Sequence, residues 1–220
     1  MKPDLQVIDD PAGAAAELLA GASGHAVLTG GSTPRSAYER AASMRPDWSG
    51  VEVWFTDERC VPPDHELSNF RLVSAALLDR VEGATVHRMQ GELGPHDGAA
   101  AYERELDESG PGAFDLMLLG VGPDAHICSL FPSDDALSER ERRVVGVEMA
   151  GMAPLVPRIT LTLPVVNSTR QVVFLITGED KAEAVARVFS GRADPRAPGS
   201  LVEGSPRVLM DAAAAARLAL

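Results

Sequence analysis

A carboxylate and a histidine follow a short apolar run in the middle of the chain. The run extends from Leu116 to Leu119, and the two titratable residues are Asp124 and His126. An apolar run that breaks at glycines predicts a buried strand ending in a sharp turn. Because open α/β sheets bind ligands at the carboxyl ends of their strands, we interpret His126 as a candidate general base, with Asp124 as the acid beside it.

Other interpretations of this stretch stay open. Gly120, Gly122 and Ala125 fit the spacing of a dinucleotide fingerprint, but that fingerprint needs a full helix after the turn, and Pro132 stops a helix early. Cys128 lies two residues beyond the histidine and is a candidate nucleophile, although a free cysteine is more often a small buried thiol. The histidine by itself could also be an ordinary loop residue with a satisfied hydrogen bond.

A second turn rich in small residues follows a predicted strand from Ala26 to Thr29. The residues of this turn are Gly30, Gly31, Ser32 and Thr33, with Pro34 next and a predicted helix after it. A turn of this kind exposes backbone N–H groups at a helix N-terminus, which suits a phosphate. A plain capped turn uses the same residue types, so the turn alone leaves both interpretations open.

Positive charge is scarce in this chain, whose formal net charge is −12. Two arginines lie at predicted strand ends: Arg59 follows the third strand, and Arg158 begins a later one. Of the 20 basic residues, only Lys2, in the N-terminal tail, and Lys181 are lysines. Lys181 is therefore either needed as a compact ammonium or is a surface residue by chance.

The composition indicates an ordinary globular chain. With 220 residues, 45% hydrophobic and 24% charged, we expect a single domain over residues 1–220. No apolar run approaches the roughly 18 residues of a membrane span, and no secretory signal is visible, so we expect a cytoplasmic protein. Two cysteines without metal-ligand spacing predict no metal site, and the negative charge predicts binding to neither nucleic acid nor membrane.

Predicted strands and helices alternate along the chain. This alternation predicts an α/β fold with a doubly wound, largely parallel sheet and helices on both faces. Helix-start residues occur at Asp10 and Ser68. Two further helices are predicted, one over residues 134–143 and one at the C-terminus after Asp211.

Several segments occur together in the order and rough spacing of one enzyme family. They are Leu28-Thr-Gly-Gly-Ser-Thr-Pro34, Phe55-Thr-Asp-Glu-Arg59, Leu119-Gly-Val-Gly-Pro-Asp-Ala-His-Ile-Cys-Ser-Leu-Phe-Pro132 and Arg158-Ile-Thr160, with Ser68-Asn69 and Gly178 to Lys181. In this combination the chain resembles the 6-phosphogluconolactonase family. The resemblance covers nearly the whole chain and implies the fold shared with glucosamine-6-phosphate deaminases and ribose-5-phosphate isomerases.

The resemblance also implies an activity: hydrolysis of 6-phospho-D-glucono-1,5-lactone in the pentose phosphate pathway. No cofactor is implied, and the partners would be the sugar-phosphate substrate and, at most, further copies in a small homo-oligomer. His126 would activate water, and Asp124 would orient the imidazole or help place the water. The Gly30 to Thr33 turn, Arg59, Arg158 and Lys181 would hold the phosphate or the developing oxyanion, and the sequence does not separate those two roles.

The chain departs from the family pattern beside the histidine. Where the family usually has Asp-Gly-His-Thr-Ala-Ser, this chain has Asp124-Ala-His-Ile-Cys-Ser129. Ala125 adds a Cβ, which matters if that position needs a positive φ, and Ile127 removes a hydroxyl that could cap the turn. Neither change touches Asp124 or His126.

Two alternative functions remain on the same fold. Glucosamine-6-phosphate deaminases carry an Ala-Phe-Asn-Glu-Pro-Gly-like continuation after the histidine, whereas this chain has Ser129 to Pro132. A non-catalytic sugar-phosphate sensor would keep the phosphate turn and lose the base. The presence of both Asp124 and His126 argues against that sensor.

Overall fold

The computed structural model describes residues 1–218, and within them the main sheet has seven strands that all run parallel to their neighbours. The strands in chain order are β1 Asp4–Val7, β2 Gly24–Leu28, β3 Val51–Phe55, β4 Asp57–Arg59, β5 Thr85–Val86, β6 Leu116–Leu119, β7 Val144–Val147, β8 Arg158–Leu161, β9 Gln171–Ile176 and β10 Arg207–Met210. The order across the main sheet is β1-β10-β9-β6-β2-β3-β5.

The strand order reverses between β2 and β6. From β2 the chain adds β3 and β5 on one side, and from β6 it adds β9 and β10 on the other. A reversal of this kind opens a crevice at the carboxyl ends of the strands. All four residues of β6 are buried, as expected for a central strand covered on both faces.

A second, antiparallel sheet consists of β4, β8 and β7. The sequence placed Asp57, Glu58 and Arg59 simply at the end of β3, but the structure makes them a strand of their own. Arg59 is paired with Arg158 across the β4–β8 ladder. This pairing brings together two arginines that are far apart in sequence.

Helices cover both faces of the main sheet. Their bounds are α1 Pro11–Ala20, α2 Ser32–Met44, α3 Asn69–Ala76, α4 Pro95–Ser109, α5 Leu163–Ser168 and α6 Ala182–Val188. Successive residues of a strand point to opposite faces. Trp54 of β3 contacts Tyr102 of α4, and its neighbour Phe55 contacts Phe70 of α3, so these two helices lie on opposite faces.

Both predicted helix starts are confirmed. The Asp10 side chain accepts a hydrogen bond from the N–H of Gly13, and the Ser68 hydroxyl accepts one from the N–H of Arg71. None of the helices described within residues 1–218 is long and apolar enough to cross a bilayer.

Two predicted helices are wrong. The helix expected over residues 134–143 is reduced to one short 3-10 turn, Asp135–Ser138. The Glu139 carboxylate then accepts the N–H groups of Arg140, Glu141 and Arg142, which replaces helical bonding. After Asp211 the chain forms turns over residues 212–217 rather than a helix, and the last two residues of the expected helix lie outside the described residues.

A buried histidine joins β3 to α4. The ring of His87 stacks on Trp54 with centroids 3.8 Å apart. Its Nδ1 lies 2.7 Å from the Glu105 carboxylate, and its Nε2 lies 2.8 Å from the Glu52 carboxylate. His87 therefore bridges the two glutamates through its two ring nitrogens.

We expect His87→Gln to lower the free energy of unfolding by about 2 kcal/mol, since it removes the ring that stacks on Trp54 and bridges the two glutamates. Urea unfolding near neutral pH measures this loss. His96→Gln is the matched control, because its contact with Glu148 is solvent-exposed and worth little. Equal stability of the two variants would contradict a structural role for the His87 bridge.

Candidate active site

A cavity of about 300 Å³ opens at the carboxyl ends of β2, β6 and β9. It lies at the crevice where the strand order reverses, on the sheet edge where the sequence analysis expects a ligand. Of the predicted site residues, those that line it are Gly30, Gly31, Ser32, Thr33, Arg59, His126, Arg158 and Lys181. The fold therefore brings segments from five separate parts of the chain to one place. Asp124, the remaining predicted residue, lies behind the histidine.

Asp124 and His126 form a hydrogen-bonded pair. The carboxylate Oδ1 of Asp124 lies 2.5 Å from Nδ1 of His126 and also faces its backbone N–H at 3.2 Å. Burial by itself would raise the pKa of Asp124, but the hydrogen bonds and charge of His126 outweigh it and hold that pKa below its usual range. An ionised Asp124 fixes the hydrogen on Nδ1, which leaves Nε2 as the free acceptor.

The turn before the histidine depends on close packing. A Cβ at Gly122 would lie 2.1 Å from Nδ1 of His126, so only glycine fits there. Ala125 has φ 75°, in the left-handed region that favours glycine, and its side chain is fully buried. The departure noted at this position therefore carries a real backbone cost, and the surrounding packing holds the alanine in place.

The structure weakens both rival interpretations of this stretch. The dinucleotide fingerprint requires a helix after Gly122, and residues 123–134 form turns and a short bridge instead. Burial, and then the negative charge of Asp57, raise the pKa of the Cys128 thiol well above its usual range. A thiol that resists ionisation is a poor nucleophile.

The glycine turn leads directly into α2. Gly31, with φ 110°, is the residue before the helix, so Ser32 and Thr33 are its first residues rather than its caps. No side chain caps this N-terminus by a hydrogen bond. The Thr33 hydroxyl lies 2.8 Å from the Thr177 hydroxyl at the end of β9. The uncapped N–H groups at the start of α2 are suited to an anion.

Lys181 approaches the cavity from the end of β9. It follows Gly178, whose φ of 98° turns the chain back toward the site, and it lies in a short 3-10 turn, Glu179–Lys181. Its ammonium lies 3.0 Å from the Asp180 carboxylate, which is itself mostly exposed. A partly exposed pair of this kind is weak and leaves the ammonium able to reach an anion.

Arg59 and Arg158 are both anchored through backbone carbonyls. Arg59 donates from Nη1 to the carbonyl of Leu67 at 2.5 Å, and Arg158 donates from Nη2 to the carbonyl of Pro154 at 2.7 Å. Burial, and then the like charge of Arg59, lower the pKa of Arg158. Two neighbouring guanidiniums in one cavity favour a bound anion between or beside them.

Sequence reasoning missed the buried acids and their partners. The Asp57 carboxylate accepts hydrogen bonds from the hydroxyls of Ser129, at 2.6 Å, and Thr56, at 2.9 Å. Glu58, the next residue, accepts hydrogen bonds from the N–H groups of Asn69 and Phe70 at the start of α3. Nothing in the run Asp57-Glu58-Arg59 signals burial, and only the tertiary packing shows that its acids are buried. Within residues 1–218, no three His, Cys, Asp or Glu side chains are grouped so that they could hold a metal ion.

The family follows from comparison with known proteins. Residues 8–210 match the family model described as glucosamine-6-phosphate isomerases/6-phosphogluconolactonase. The chain belongs to this family. The 6-phosphogluconolactonase of a Nostoc species is 39% identical over 205 residues, which are 88% of this chain and 84% of that protein.

Solved structures agree with this assignment. The crystal structure of 6-phosphogluconolactonase from Thermotoga maritima superposes with a TM-score of 0.84 and 29% identity, covering 96% of this chain and all of that one. A monomeric glucosamine-6-phosphate deaminase superposes with a TM-score of 0.86 at 19% identity, which shows a shared fold alone. The predicted family and α/β fold are thus confirmed.

We expect Gly30→Ala to damage both stability and activity. The backbone of Gly30 is ordinary, but a Cβ there would lie 1.9 Å from Oδ1 and 2.5 Å from Cγ of Asn69. Overpacking of this kind destabilises by about 1–3 kcal/mol and would displace the glycine turn. Urea unfolding and lactone turnover measure the two effects. The control is Gly112→Ala, where a Cβ meets nothing within 4 Å. A Gly30→Ala protein as stable and active as the control would refute the close contact.

Proposed function

We propose that this protein hydrolyses 6-phospho-D-glucono-1,5-lactone to 6-phospho-D-gluconate. The observation that carries the proposal is the hydrogen-bonded Asp124–His126 pair on a cavity that also gathers the glycine turn, two arginines and a lysine. Family membership and the names of the relatives support the same activity. The direct test is the rate on freshly prepared lactone, corrected for spontaneous opening of the ring.

In this mechanism His126 acts as the general base. Its Nε2 takes a proton from a water molecule as the water oxygen attacks C1 of the lactone, and the carbonyl electrons move onto the oxygen to form a tetrahedral oxyanion. When that oxyanion collapses, the bond from C1 to the ring oxygen breaks, and the imidazolium returns its proton to the departing oxygen. General acid–base catalysis of this kind contributes about 10²–10⁴-fold. Asp124 holds the ring orientation and stabilises the imidazolium.

The positive end of the cavity binds the anionic groups of the substrate. The N–H groups at Gly31 to Thr33 and the ammonium of Lys181 hold the phosphate, since both lie on the β2–β9 side of the site. Arg59 and Arg158 add positive charge to the same cavity, where the phosphate and the oxyanion both need it. The sequence is strongly acidic overall, so this local charge is what makes an anionic substrate acceptable.

We expect His126→Ala to lower kcat by about 100-fold or more with little change in KM, because the base acts in the transition state. Steady-state rates on the lactone give both constants. Cys128→Ala, at a cavity residue outside the proposed mechanism, is the matched control and should keep most activity. A His126→Ala enzyme with the kcat of the wild type would remove the histidine from the mechanism, and an inactive but folded Cys128→Ala enzyme would favour the thiol.

We expect Lys181→Arg to raise KM for the phosphorylated lactone although the charge is conserved. The ammonium is a compact donor, and the longer guanidinium fork would displace either the phosphate or itself. Comparison of KM for 6-phosphogluconolactone and for unphosphorylated gluconolactone measures the effect, which should be much smaller on the second substrate. Unchanged constants on both would mean that Lys181 does not contact the phosphate.

A further inference from the structure

Asn69 has a fixed side-chain orientation at the edge of the cavity. It is the first residue of α3, is only 1% exposed, and lines the cavity. Its Nδ2 donates to the backbone carbonyl of Asp57 at 2.9 Å and faces the carboxylate of the same residue at 3.3 Å. Turning the amide over would place Oδ1 against two acceptors. The arrangement of donor and acceptor on this side chain is therefore determined by its surroundings.

The amide oxygen of Asn69, Oδ1, has no hydrogen-bond partner. Among the buried side-chain nitrogen and oxygen atoms of residues 1–218, the ones that make no hydrogen bond are Oδ1 of Asn69 and Nε of Arg59. Both residues line the cavity. A buried polar atom left without a partner costs free energy, and native proteins rarely tolerate it without a reason. Two such atoms at the edge of one cavity point to a ligand that completes them.

The backbones of the two residues share an anchor. Oε1 of Glu58 accepts the backbone N–H of Arg59 and the backbone N–H of Asn69, each at 2.7 Å. The guanidinium of Arg59 is further tied to the carbonyl of Leu67. One unpartnered atom is an acceptor and the other is a donor. A hydroxyl group is the small polar group that donates one hydrogen bond and accepts another.

The chemistry of the lactone limits which of its groups can meet Asn69. The phosphate oxygens, the carbonyl oxygen and the ring oxygen are acceptors and cannot donate to Oδ1. The hydroxyls on C2, C3 and C4 are the donors that the substrate carries. Gly30 keeps Oδ1 free of a covering side chain, since any Cβ at that position would collide with it.

We propose that Asn69 is a specificity-determining residue, whose Oδ1 accepts a hydrogen bond from one ring hydroxyl of the lactone. The inference rests on the proposed lactonase function. It assigns to this residue the recognition of a hydroxylated ring, in addition to the recognition of the phosphate by the glycine turn and Lys181.

The test compares 6-phosphogluconolactone with its 2-deoxy, 3-deoxy and 4-deoxy analogues. Each lactone is prepared by oxidation of the corresponding sugar phosphate, and kcat/KM is corrected for spontaneous opening. The wild-type enzyme should prefer the parent lactone to one of the three analogues by about tenfold, the effect of one lost hydrogen bond. In Asn69→Ala the preference over that analogue should fall to about twofold or less, with the ratios for the other two unchanged.

Two variants serve as controls. Asn167→Ala removes an asparagine that bonds only backbone groups away from the cavity, and it should keep the wild-type ratios. Asn69→Ser keeps a small polar side chain on the first residue of α3, and it replaces Asn69→Ala if the alanine variant does not fold.

The outcomes separate the inference from the function on which it rests. Equal wild-type rates on all four lactones, or an Asn69 variant that slows all four equally, would overturn the hydroxyl assignment and leave the lactonase function intact. Absence of wild-type turnover of the parent lactone itself would overturn the proposed function and this inference together.

Discussion

Two adjacent buried carboxylates hold the walls of the cavity together. Glu58 accepts the N–H groups of Arg59, Asn69 and Phe70 and the hydroxyl of Ser68, all at 2.7–2.9 Å, so it closes the N-terminus of α3. Asp57 accepts from Ser129, in the loop that follows β6. The pair thus joins β4, α3 and the loop that follows β6. If these acids were displaced, the segments that carry the proposed arginine and histidine would lose their common support.

Burial of the two acids is possible because hydrogen bonds and nearby arginines offset its cost. Burial raises the pKa of Glu58, and its four hydrogen bonds oppose that rise. Arg158 and Arg59 add positive charge beside these acids, and the ladder between β4 and β8 places the two arginines directly opposite each other. The two arginines offset the two acids, and Lys181 adds a further positive charge at the cavity. A chain with a net charge of −12 can therefore still attract an anionic sugar.

The loop after β6, which carries His126, has a strained backbone. Ala125, Cys128 and Ser133 all have positive φ, which non-glycine residues rarely adopt. Ala125 and Cys128 are buried, so the packing around them stabilises this unfavourable backbone conformation. Strain of this kind often occurs where a side chain must be aimed at a substrate. The tight approach of Gly122 to the imidazole serves the same purpose.

The sequence alone determined the features that depend on local patterns. The apolar run of β6, the glycine turn before α2, the Ser68 cap and the Asp124–His126 pair are each readable within a few residues, and the order of these segments gave the family and the α/β fold. The helix expected over residues 134–143 failed because Glu139 bonds the backbone that a helix would use. Only the tertiary structure showed that Asp57-Glu58-Arg59 is a buried strand paired with β8, and that the amide oxygen of Asn69 lacks a partner. Both depend on which distant segments pack against these residues, and a hydrogen-bond partner far along the chain leaves no periodic signal in the sequence.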